Sequence, residues 1–265
     1  MTIDILICTI NDGIISIPHM LMPPQEGISY VVSMQWTDKS YLNLIPDVLK
    51  ERKDVALTLL EGKGLSRNRN NAIAHSMADI MMIADDDCRY KPEYMETIRR
   101  AYTDHPQADI ITFEAFNLDG QPLHPYPADY ICSVEMTFRQ KVKTLFNLRF
   151  GLGSGLFCSG EEQVWMKDAE REGYSHIFIE KPIVMTPAET TGNQQRFTAS
   201  PQLQQSKGAT FRYIYGTEEA LWRSVKEAGW YMVHKHVNPL PILYNMIKGI
   251  AMERLPYHKK ATLLQ

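Results

Sequence analysis

Three consecutive aspartates, Asp85, Asp86 and Asp87, directly follow an apolar run at residues 80–84. Packed carboxylates repel one another and raise one another's pKa unless a cation or hydrogen-bond donors neutralise them. Alternate side chains of a strand share a face, so Asp85 and Asp87 are predicted to face one way and Asp86 the other. Two such carboxylates could hold a hard divalent cation and leave positions open for phosphate oxygens. The alternative is that three acids simply end a strand and cap the next helix.

The elements around this triplet follow from the alternation of apolar and polar residues. In the first half of the chain, short apolar runs alternate with helical patterns, which indicates β-α-β units around a mostly parallel sheet. Strands are predicted at residues 3–10, 28–34, 55–60, 80–84 and 110–116, a turn at residues 11–13, and helices at residues 14–22, 66–78 and 92–103. Ser66 is predicted to cap the second helix, with Ile73 and Met77 on one face. Ligands of open α/β sheets bind beyond the carboxyl ends of strands, and the triplet lies at such an end.

The second half of the chain gives a less regular pattern. Residues 117–150 mix polar, aromatic and proline residues, which predicts loops and antiparallel additions at the edge of the sheet. Glu161 and Glu162 follow a glycine-rich stretch and open a helix predicted to reach Gly173. Two more helices are predicted at residues 218–228 and 241–253. We therefore predict a main domain at residues 1–200 and a helical C-terminal appendage at residues 201–265.

Charge and composition exclude some classes of function. The formal net charge is −3, with no long run of either sign, whereas nucleic-acid-binding proteins normally carry a basic surplus. No nucleic-acid partner is therefore predicted. Four scattered cysteines without metal-type spacing predict free thiols in a reducing compartment. No signal-peptide pattern and no run of about 18 apolar residues is found, so we expect a cytoplasmic location.

The stretch from Gly64 to Asp87 resembles the family 2 glycosyltransferases. The family pattern is a glycine, a few residues, an Arg-Asn pair, a helix, and an apolar strand that ends in Asp-x-Asp. Arg69 and Asn70 match the pair, and Asp85 and Asp87 match the Asp-x-Asp. The resemblance covers about residues 3 to 190. It implies the GT-A fold, an α/β sheet with Rossmann-like topology, and transfer with inversion from a nucleotide-diphospho-sugar donor in bacterial polysaccharide synthesis.

The same resemblance implies roles for the acidic triplet and Arg69. Asp85 would contact the donor ribose or a bound metal, Asp87 would coordinate the metal that bridges the two phosphates, and Asp86 would belong to the donor site. The metal would be Mn²⁺ or Mg²⁺, since carboxylate and phosphate oxygens are hard ligands. Arg69 could approach the donor phosphates, form an ion pair with an acid of the triplet, or do both.

Further donor contacts are implied beyond the first two strands. Thr9 and Asn11 fall where the family's loop cradles the nucleotide base, although either could be purely structural. Many relatives place an acidic residue just after the second strand, and Gln35 or Asp38 could substitute for it here. Trp36 could stack on the base. The identity of the nucleotide stays open.

Glu161 and Glu162 resemble the family's Gly-Glu-Asp stretch, in which a carboxylate acts as general base on the acceptor hydroxyl. A sugar hydroxyl is a poor nucleophile, so direct displacement requires a positioned group that accepts its proton. Glu162 is the first candidate for this base and Glu161 the second. The alternative is that acids in the first turn of a helix only complement its dipole.

One departure from the family pattern leaves other functions open. Relatives often place a histidine after this helix as a metal ligand, whereas residues 183–192 contain none. Glu189 or Thr186 could take its place, or metal binding could be weaker. A non-catalytic nucleotide-sugar-binding module that acts as a partner or regulator is therefore an alternative. A sugar nucleotidyltransferase ranks lower, because residues 8–13 lack the required Gly- and Arg-rich loop.

The C-terminal region combines aromatic, aliphatic and basic residues between Gly229 and Lys260. Such helices could rest on an anionic membrane that presents lipid-linked acceptors, which would place the protein on the inner face of the membrane. More often such helices pack on their own domain or on a second subunit, which would make a homodimer. The acceptor is expected to be a glycan or a lipid-linked molecule.

Overall fold

The computed structural model describes residues 1–124, 131–188 and 194–253, which form two compact units. The first unit comprises Met1–Leu156 and the described residues of Glu161–Thr190. The second comprises Phe157–Gly160 and the described residues of Thr191–Gln265. The division thus groups the described residues 194–200 with the C-terminal helices.

The first unit is built on a seven-stranded sheet. Its strands are β1 (Ile3–Ile10), β2 (Ile28–Trp36), β3 (Val55–Glu61), β4 (Ile80–Asp85), β5 (Ile110–Asn117), β6 (Met136–Arg139) and β7 (His176–Thr186). They are ordered β3-β2-β1-β4-β6-β5-β7, and every neighbouring pair is parallel except those made by β6. The mostly parallel sheet predicted from the alternating pattern is therefore confirmed.

Both faces of the central strand β1 are buried. Ile3, Ile5 and Ile7 belong to the hydrophobic cluster on one face, and Leu6 and Cys8 belong to the cluster on the other. This explains the near-continuous apolar run, because a central strand covered on both sides needs no polar face. Parallel pairing with β4 sets Cys8 beside Asp85, so the acidic triplet begins at the carboxyl end of the sheet.

Four α-helices accompany this sheet in the described residues: α1 (Asp47–Glu51), α2 (Leu65–Ala74), α3 (Pro92–Asp104) and α4 (Glu161–Arg171). The turn predicted at residues 11–13 and the helix predicted at residues 14–22 are instead one 3-10 helix, Asn11–His19. Pro18 lies inside it and has no N–H to donate, which disfavours continued α-helical bonding.

The prediction for α2 was wrong at both ends. Gly64, not Ser66, is the N-cap, and the helix ends at Ala74 rather than Ala78. Met77 therefore lies outside the helix and is 83% exposed, so it shares no helical face with Ile73. Asp4 accounts for the early end, because its carboxylate accepts hydrogen bonds from the Ser76 hydroxyl and the backbone N–H groups of Met77 and Ala78.

The placement of β6 also corrects an expectation. Antiparallel additions were predicted at the edge of the sheet, whereas β6 lies inside it, between β4 and β5. Met136 and Phe138 are buried in the same cluster as Leu6, and the Thr137 hydroxyl donates to the carbonyl of Ile111. This hydrogen bond allows a polar residue to occupy a central strand without an unsatisfied buried group.

The second unit is helical, with α5 (Gln194–Ala199), α6 (Pro201–Tyr215), α7 (Thr217–Lys235) and α8 (Pro239–Glu253). Helices were predicted within α7 and α8, whereas α5 and α6 were not predicted. In α6, the buried positions include small and polar residues, such as Ser206, Gly208 and Thr210, so an apolar period is weak. None of the described helices combines the length and apolar character that crossing a bilayer requires.

Helices α6 and α8 pack at backbone distance. A Cβ atom added to Gly208 would collide with the backbone of Met246, and one added to Gly249 would collide with the backbone of Gln205. Each helix thus supplies a glycine where the other approaches, which fixes the rotation of α8 about its own axis.

Candidate active site

Arg69 is directed towards the carboxyl end of the sheet by its neighbours on α2. Asn68 donates from Nδ2 to the Thr9 carbonyl at 3.0 Å and accepts from the Ser33 hydroxyl at 2.6 Å, which ties α2 to β1 and β2. On the other side, Asn70 exchanges two hydrogen bonds with the backbone of Phe146. The conspicuous polar run on α2 therefore fixes the helix itself, and Asn70 serves this structural purpose.

The Arg69 guanidinium is 1% exposed and contacts three carboxylates. Its Nη2 lies 3.2 Å from Oδ1 of Asp85 and its Nη1 lies 3.2 Å from Oε1 of Glu161 and 3.3 Å from Oε1 of Glu162. Nη2 also donates to the Ser133 hydroxyl at 2.7 Å. The ion pair expected between Arg69 and the triplet is therefore present, and it extends to both predicted base candidates. Donor contact by Arg69 stays a prediction.

Charge is unbalanced in this cluster, because one guanidinium faces three carboxylates. Burial disfavours the charged form of Arg69, but Asp85, Glu162 and Glu161 together raise its pKa. Burial and the neighbouring charge of Glu161 raise the pKa of Glu162 to about 8, although Arg69 acts in the opposite direction. A carboxyl poised near neutral pH suits general base catalysis.

Helix α4 presents Glu161 and Glu162 from its first turn. The helix is anchored by Trp165, which is fully buried, stacks on Phe146 and donates its indole N–H to the Thr144 carbonyl at 3.0 Å. Truncating a buried tryptophan to alanine costs about 3–5 kcal/mol, so this anchor is strong. The two glutamates are thus carried by a rigid element.

The glycine-rich stretch before α4 lies against α2. At Gly151, φ is +100° and an added Cβ would meet the Ser66 hydroxyl and the Glu161 carboxyl group. Ser66 donates to the Phe150 carbonyl at 2.6 Å, and the Leu65 N–H donates to the Leu152 carbonyl. Only glycine has both the backbone freedom and the small size that this contact with Glu161 requires.

The three aspartates have different partners. Asp85 lies on the face of the sheet that carries α2, whereas Asp86 accepts a hydrogen bond from the Thr9 hydroxyl at 2.5 Å. Asp87 lies beyond the strand, in a turn, and accepts from the Thr186 hydroxyl of β7 at 3.5 Å. Strand alternation therefore does not extend to Asp87, because β4 ends at Asp85.

The triplet fits a hard cation that also receives ligands from a substrate. Burial raises the pKa of Asp86, opposed by the Thr9 hydrogen bond and supported by Asp85. Burial, Asp85 and Asp86 raise the pKa of Asp87. A cation would relieve this excess of negative charge. In residues 1–124, 131–188 and 194–253, no three His, Cys, Asp or Glu side chains form a metal site by themselves, so phosphate oxygens would have to complete the coordination.

Thr186 is the described candidate for the position of the missing histidine. Thr186 is the last residue of β7, and its hydroxyl donates to the Asp87 carboxylate. Glu189, the other candidate, lies outside the described residues. A hydroxyl oxygen is a harder ligand than an imidazole nitrogen and is compatible with Mg²⁺ or Mn²⁺.

The residues predicted to hold the nucleotide base divide into buried and exposed groups. Asn11 has φ +54° and accepts from both the backbone N–H and the hydroxyl of Thr37, while Asp38 accepts from Ser40 and caps a 3-10 helix. These polar groups lie just beyond β1 and β2. Gln35 is buried, and no hydrogen-bond partner is found for its Nε2 among the described residues.

Ser133 and Thr37 contact predicted site residues, but the sequence pattern did not identify either of them as part of the site. Ser133 lies in a 3-10 helix, Ser133–Glu135, and reaches Arg69 across 64 positions of the chain. Thr37 binds Asn11 from the end of β2. Neither residue belongs to a pattern with recognisable spacing, so only the fold could identify them.

Solved structures with the same fold have very low sequence identity to this chain. A crystal structure of S. aureus TarS aligns with TM-score 0.54 and 14% identity over 88% of this chain and 44% of that one. S. aureus TarS 1–349 in complex with UDP-GlcNAc aligns with TM-score 0.55 and 12% identity over 96% and 92% of the two chains. The mannosyltransferase PcManGT from Pyrobaculum calidifontis, in complex with GDP-Man and Mn²⁺, aligns with TM-score 0.53 and 12% identity over 94% and 74%.

These alignments confirm the predicted fold class, a GT-A sheet flanked by helices with further helices at the C-terminus. The chain spans less than half the length of the first TarS structure. None of the curated protein sequences compared with it shows a significant match. The model of the family described as glycosyl transferase family 2 matches residues 38–171, just over half of the chain, and includes Arg69, the acidic triplet and both glutamates. On this match and this fold, the chain belongs to glycosyltransferase family 2.

Proposed function

We propose that this glycosyltransferase moves a sugar from a nucleotide-diphospho-sugar donor to a hydroxyl of a glycan acceptor, with inversion at the sugar carbon. The observation that carries the proposal is the position of Arg69. Its guanidinium joins Asp85, at the predicted donor site, to Glu161 and Glu162, the predicted base candidates. The proposed donor site and the proposed general base would thus contact the same buried guanidinium group, that of Arg69.

The solved relatives support the donor class. The TarS structure contains UDP-GlcNAc and the PcManGT structure contains GDP-Man and Mn²⁺. Both ligands are nucleotide-diphospho-sugars, whereas their bases and sugars differ. The proposal for this chain therefore extends to the donor class and to a divalent cation, without selecting one nucleotide.

In the proposed reaction, the ionised Glu162 carboxylate accepts the proton of the acceptor hydroxyl. The hydroxyl oxygen forms a bond to the anomeric carbon from the side opposite the leaving group. The bond between that carbon and the phosphate oxygen breaks, and its electron pair leaves with the nucleoside diphosphate. One displacement gives one inversion of configuration, and a single base is enough.

The remaining site residues would orient and neutralise the reacting groups. Arg69 holds Glu162 and Asp85 in fixed positions, and its positive charge partly offsets the local negative charge. Asp85 and Asp87 would hold Mn²⁺ or Mg²⁺, with Thr186 beside Asp87. When bound, such an ion offsets the charge that develops on the departing diphosphate.

Asp87→Asn is expected to abolish metal-dependent donor binding. A nucleoside diphosphate at about a hundred times its Kd should stabilise the wild-type chain by about 2.7 kcal/mol, but only with the divalent ion. The measurement is a thermal-shift comparison of UDP, GDP, CDP and TDP, each with and without Mn²⁺. Asp87→Asn should unfold at the same temperature with and without the stabilising nucleotide and Mn²⁺, since it lacks the charge that holds the ion.

Asp104→Asn is the matched control, because Asp104 is exposed on α3 and pairs only with Arg100 among the described side chains. This control should retain the full ligand-induced shift. Absence of a shift with every nucleotide, or an equal shift in Asp87→Asn, would contradict the proposed donor site.

A further inference from the structure

Asp86 is hydrogen-bonded to the N-terminal part of the chain through both its side chain and its backbone. Its Oδ2 accepts from the Thr9 hydroxyl at 2.5 Å, and its carbonyl accepts from the Ser16 hydroxyl at 2.9 Å. The Ser16 hydroxyl also lies 2.8 Å from the Gly13 carbonyl, so a bifurcated hydrogen bond joins the two carbonyls. The middle aspartate of the triplet therefore has partners that neither of its neighbours contacts through these bonds.

Gly13 packs directly on the hydrogen bond between Thr9 and Asp86. A Cβ atom added to Gly13 would collide with Oγ1 of Thr9 and with Oδ2 of Asp86. Both side chains are short, so neither can move aside and keep the hydrogen bond. The backbone of residue 13 therefore covers the Asp86 carboxylate on this side, and even one additional methyl group would separate the pair.

The 3-10 helix Asn11–His19 supplies both Gly13 and Ser16. Its Ile14 and Ile17 are completely buried in the hydrophobic cluster that covers one face of β1. The position of this helix is thus set by core packing, independently of the acidic triplet. It follows that the helix fixes the triplet, because the helix has anchors of its own.

Asp86 and Asp87 are the two central residues of a β-turn. The Asp85 carbonyl accepts from the backbone N–H three residues later at 3.4 Å, which closes the turn. Beyond the turn, Arg89 exchanges two backbone hydrogen bonds with Met185 of β7, at 2.7 and 3.0 Å. Because the turn is fixed at both ends, the direction of the Asp87 side chain depends on the backbone conformation at Asp86.

We propose that Asp86 is a positioning residue, which holds the turn so that Asp85 and Asp87 face the cation, and that it contacts neither metal nor donor itself. Thr9 and Gly13 would act with it, through the contacts described above. Groups that orient metal ligands typically change metal affinity by about 10–100-fold when they are replaced. This inference rests on the proposed donor site, and it removes Asp86 from the residues that would contact the donor.

The alternative is that Asp86 acts through its negative charge on the cation or the donor. Two pairs of variants separate charge from position. Thr9→Val removes the hydrogen bond and leaves the Asp86 carboxylate in place, whereas Thr9→Ser keeps the hydroxyl. Asp86→Asn and Asp86→Ala both remove the carboxylate, but only asparagine can still hydrogen-bond to Thr9, through either end of its amide.

The test measures the Mn²⁺ concentration that gives half of the maximal thermal shift with UDP, GDP, CDP or TDP present. We expect Thr9→Val to require about tenfold more Mn²⁺ than Thr9→Ser, and Asp86→Ala about tenfold more than Asp86→Asn. Gly13→Ala should behave as Thr9→Val does, because the added methyl group separates the same two side chains. Each shift is taken from the variant's own melting temperature without ligand, so a loss of stability does not imitate a loss of affinity.

Thr112→Val is the matched control for Thr9→Val. Both threonines are 3% exposed and lie in strands of the same sheet. The Thr112 hydroxyl hydrogen-bonds to the ring of His176 at 2.8 Å, at the opposite end of β7 from Thr186. Thr112→Val should therefore lose stability and keep the wild-type Mn²⁺ requirement. If Thr9 had only a structural role, the two valine variants would give the same result.

Equal Mn²⁺ requirements within the Thr9 pair, or within the Asp86 pair, would overturn the proposal. Circular dichroism shows whether each variant is folded, and the Thr9 pair decides alone if Asp86→Ala does not fold. A wild-type chain that shows no shift with any nucleotide and Mn²⁺ would overturn the proposed donor site together with this inference. A normal wild-type shift with equal values within a pair would overturn this inference alone.

Discussion

Replacement of Glu162 by glutamine is expected to lower kcat by about 10²–10⁴-fold while leaving donor binding unchanged. Glutamine keeps the size of the side chain and a hydrogen bond to Arg69 is still available to its carbonyl, but it cannot accept the acceptor proton. Initial rates of nucleoside diphosphate release, measured with acceptor, give kcat, and thermal shift gives donor binding. The active donor from the nucleotide screen is used in both measurements.

Glu170→Gln is the matched control on the same helix, because Glu170 is exposed and pairs with Lys167. It should retain wild-type kcat. If Glu161→Gln loses activity and Glu162→Gln does not, the base is Glu161. If the wild-type chain binds the donor but shows no turnover that depends on Glu161 or Glu162, the catalytic proposal fails. The chain would then be a binding module.

The pH dependence of kcat follows from the same carboxyl group. A general base must be ionised, and burial together with Glu161 raises the pKa of Glu162 to about 8. The wild-type kcat is therefore expected to rise with pH through about 8 and to level off above it. Glu161→Gln removes the neighbouring negative charge, so the rise should move to lower pH. A profile that is flat between about pH 6 and about pH 10, two units on either side of this pKa, would contradict the proposed role of Glu162.

Replacement of Arg69 by methionine is expected to lower the free energy of unfolding by about 3–5 kcal/mol at pH 7. The substitution fills a similar volume but leaves Glu161, Glu162 and Asp85 without their shared cation. Arg69 lowers the pKa of Glu162, so without that cation burial and the charge of Glu161 raise the pKa of Glu162 in the folded chain further above its value in the unfolded chain. Folding then favours proton uptake, so part of the lost stability should return as the pH falls towards 5.

Urea unfolding of Arg69→Met at pH 7 and pH 5, against wild type, measures both effects. Arg67→Met is the matched control two positions away, because Arg67 is partly exposed and donates to the Glu61 carbonyl. It should change stability by less than about 1 kcal/mol. A second variant, Arg69→Lys, keeps the charge but not the planar fork, so it should still lose stability and activity. Wild-type stability in Arg69→Met would refute the importance of the charge cluster.

Much of the sheet could be predicted because its signals are local. Apolar runs placed β1, β3 and β4 within a residue of their observed bounds, and Pro92 marked the start of α3. The end of α2 could not be predicted in this way. Asp4 terminates that helix from 72 residues away in the chain, and a contact of that kind leaves no local pattern.

The site was predictable only in part for the same reason. The triplet and the glutamate pair stand out because acids are rare directly after an apolar strand or a glycine-rich stretch. Their connection through Arg69 joins residues 92 positions apart, and Ser133 enters from a segment that gave no clear prediction. Ser133 reaches Arg69 because β6 inserts into the middle of the sheet. That placement depends on tertiary contacts, which leave no local pattern in the sequence.

One guanidinium shared by three carboxylates has a consequence for engineering donor or acceptor preference. Substitutions at Asp85 and at Glu162 act on the same cation, so their free-energy effects should be non-additive, with interaction energies of about 0.5–3 kcal/mol. A substitution at Asp85, on the proposed donor side, is therefore expected to alter the proton affinity of Glu162, on the proposed acceptor side. Variant libraries for new specificity should sample Asp85, Glu161 and Glu162 together, since the best residue at each depends on the other two.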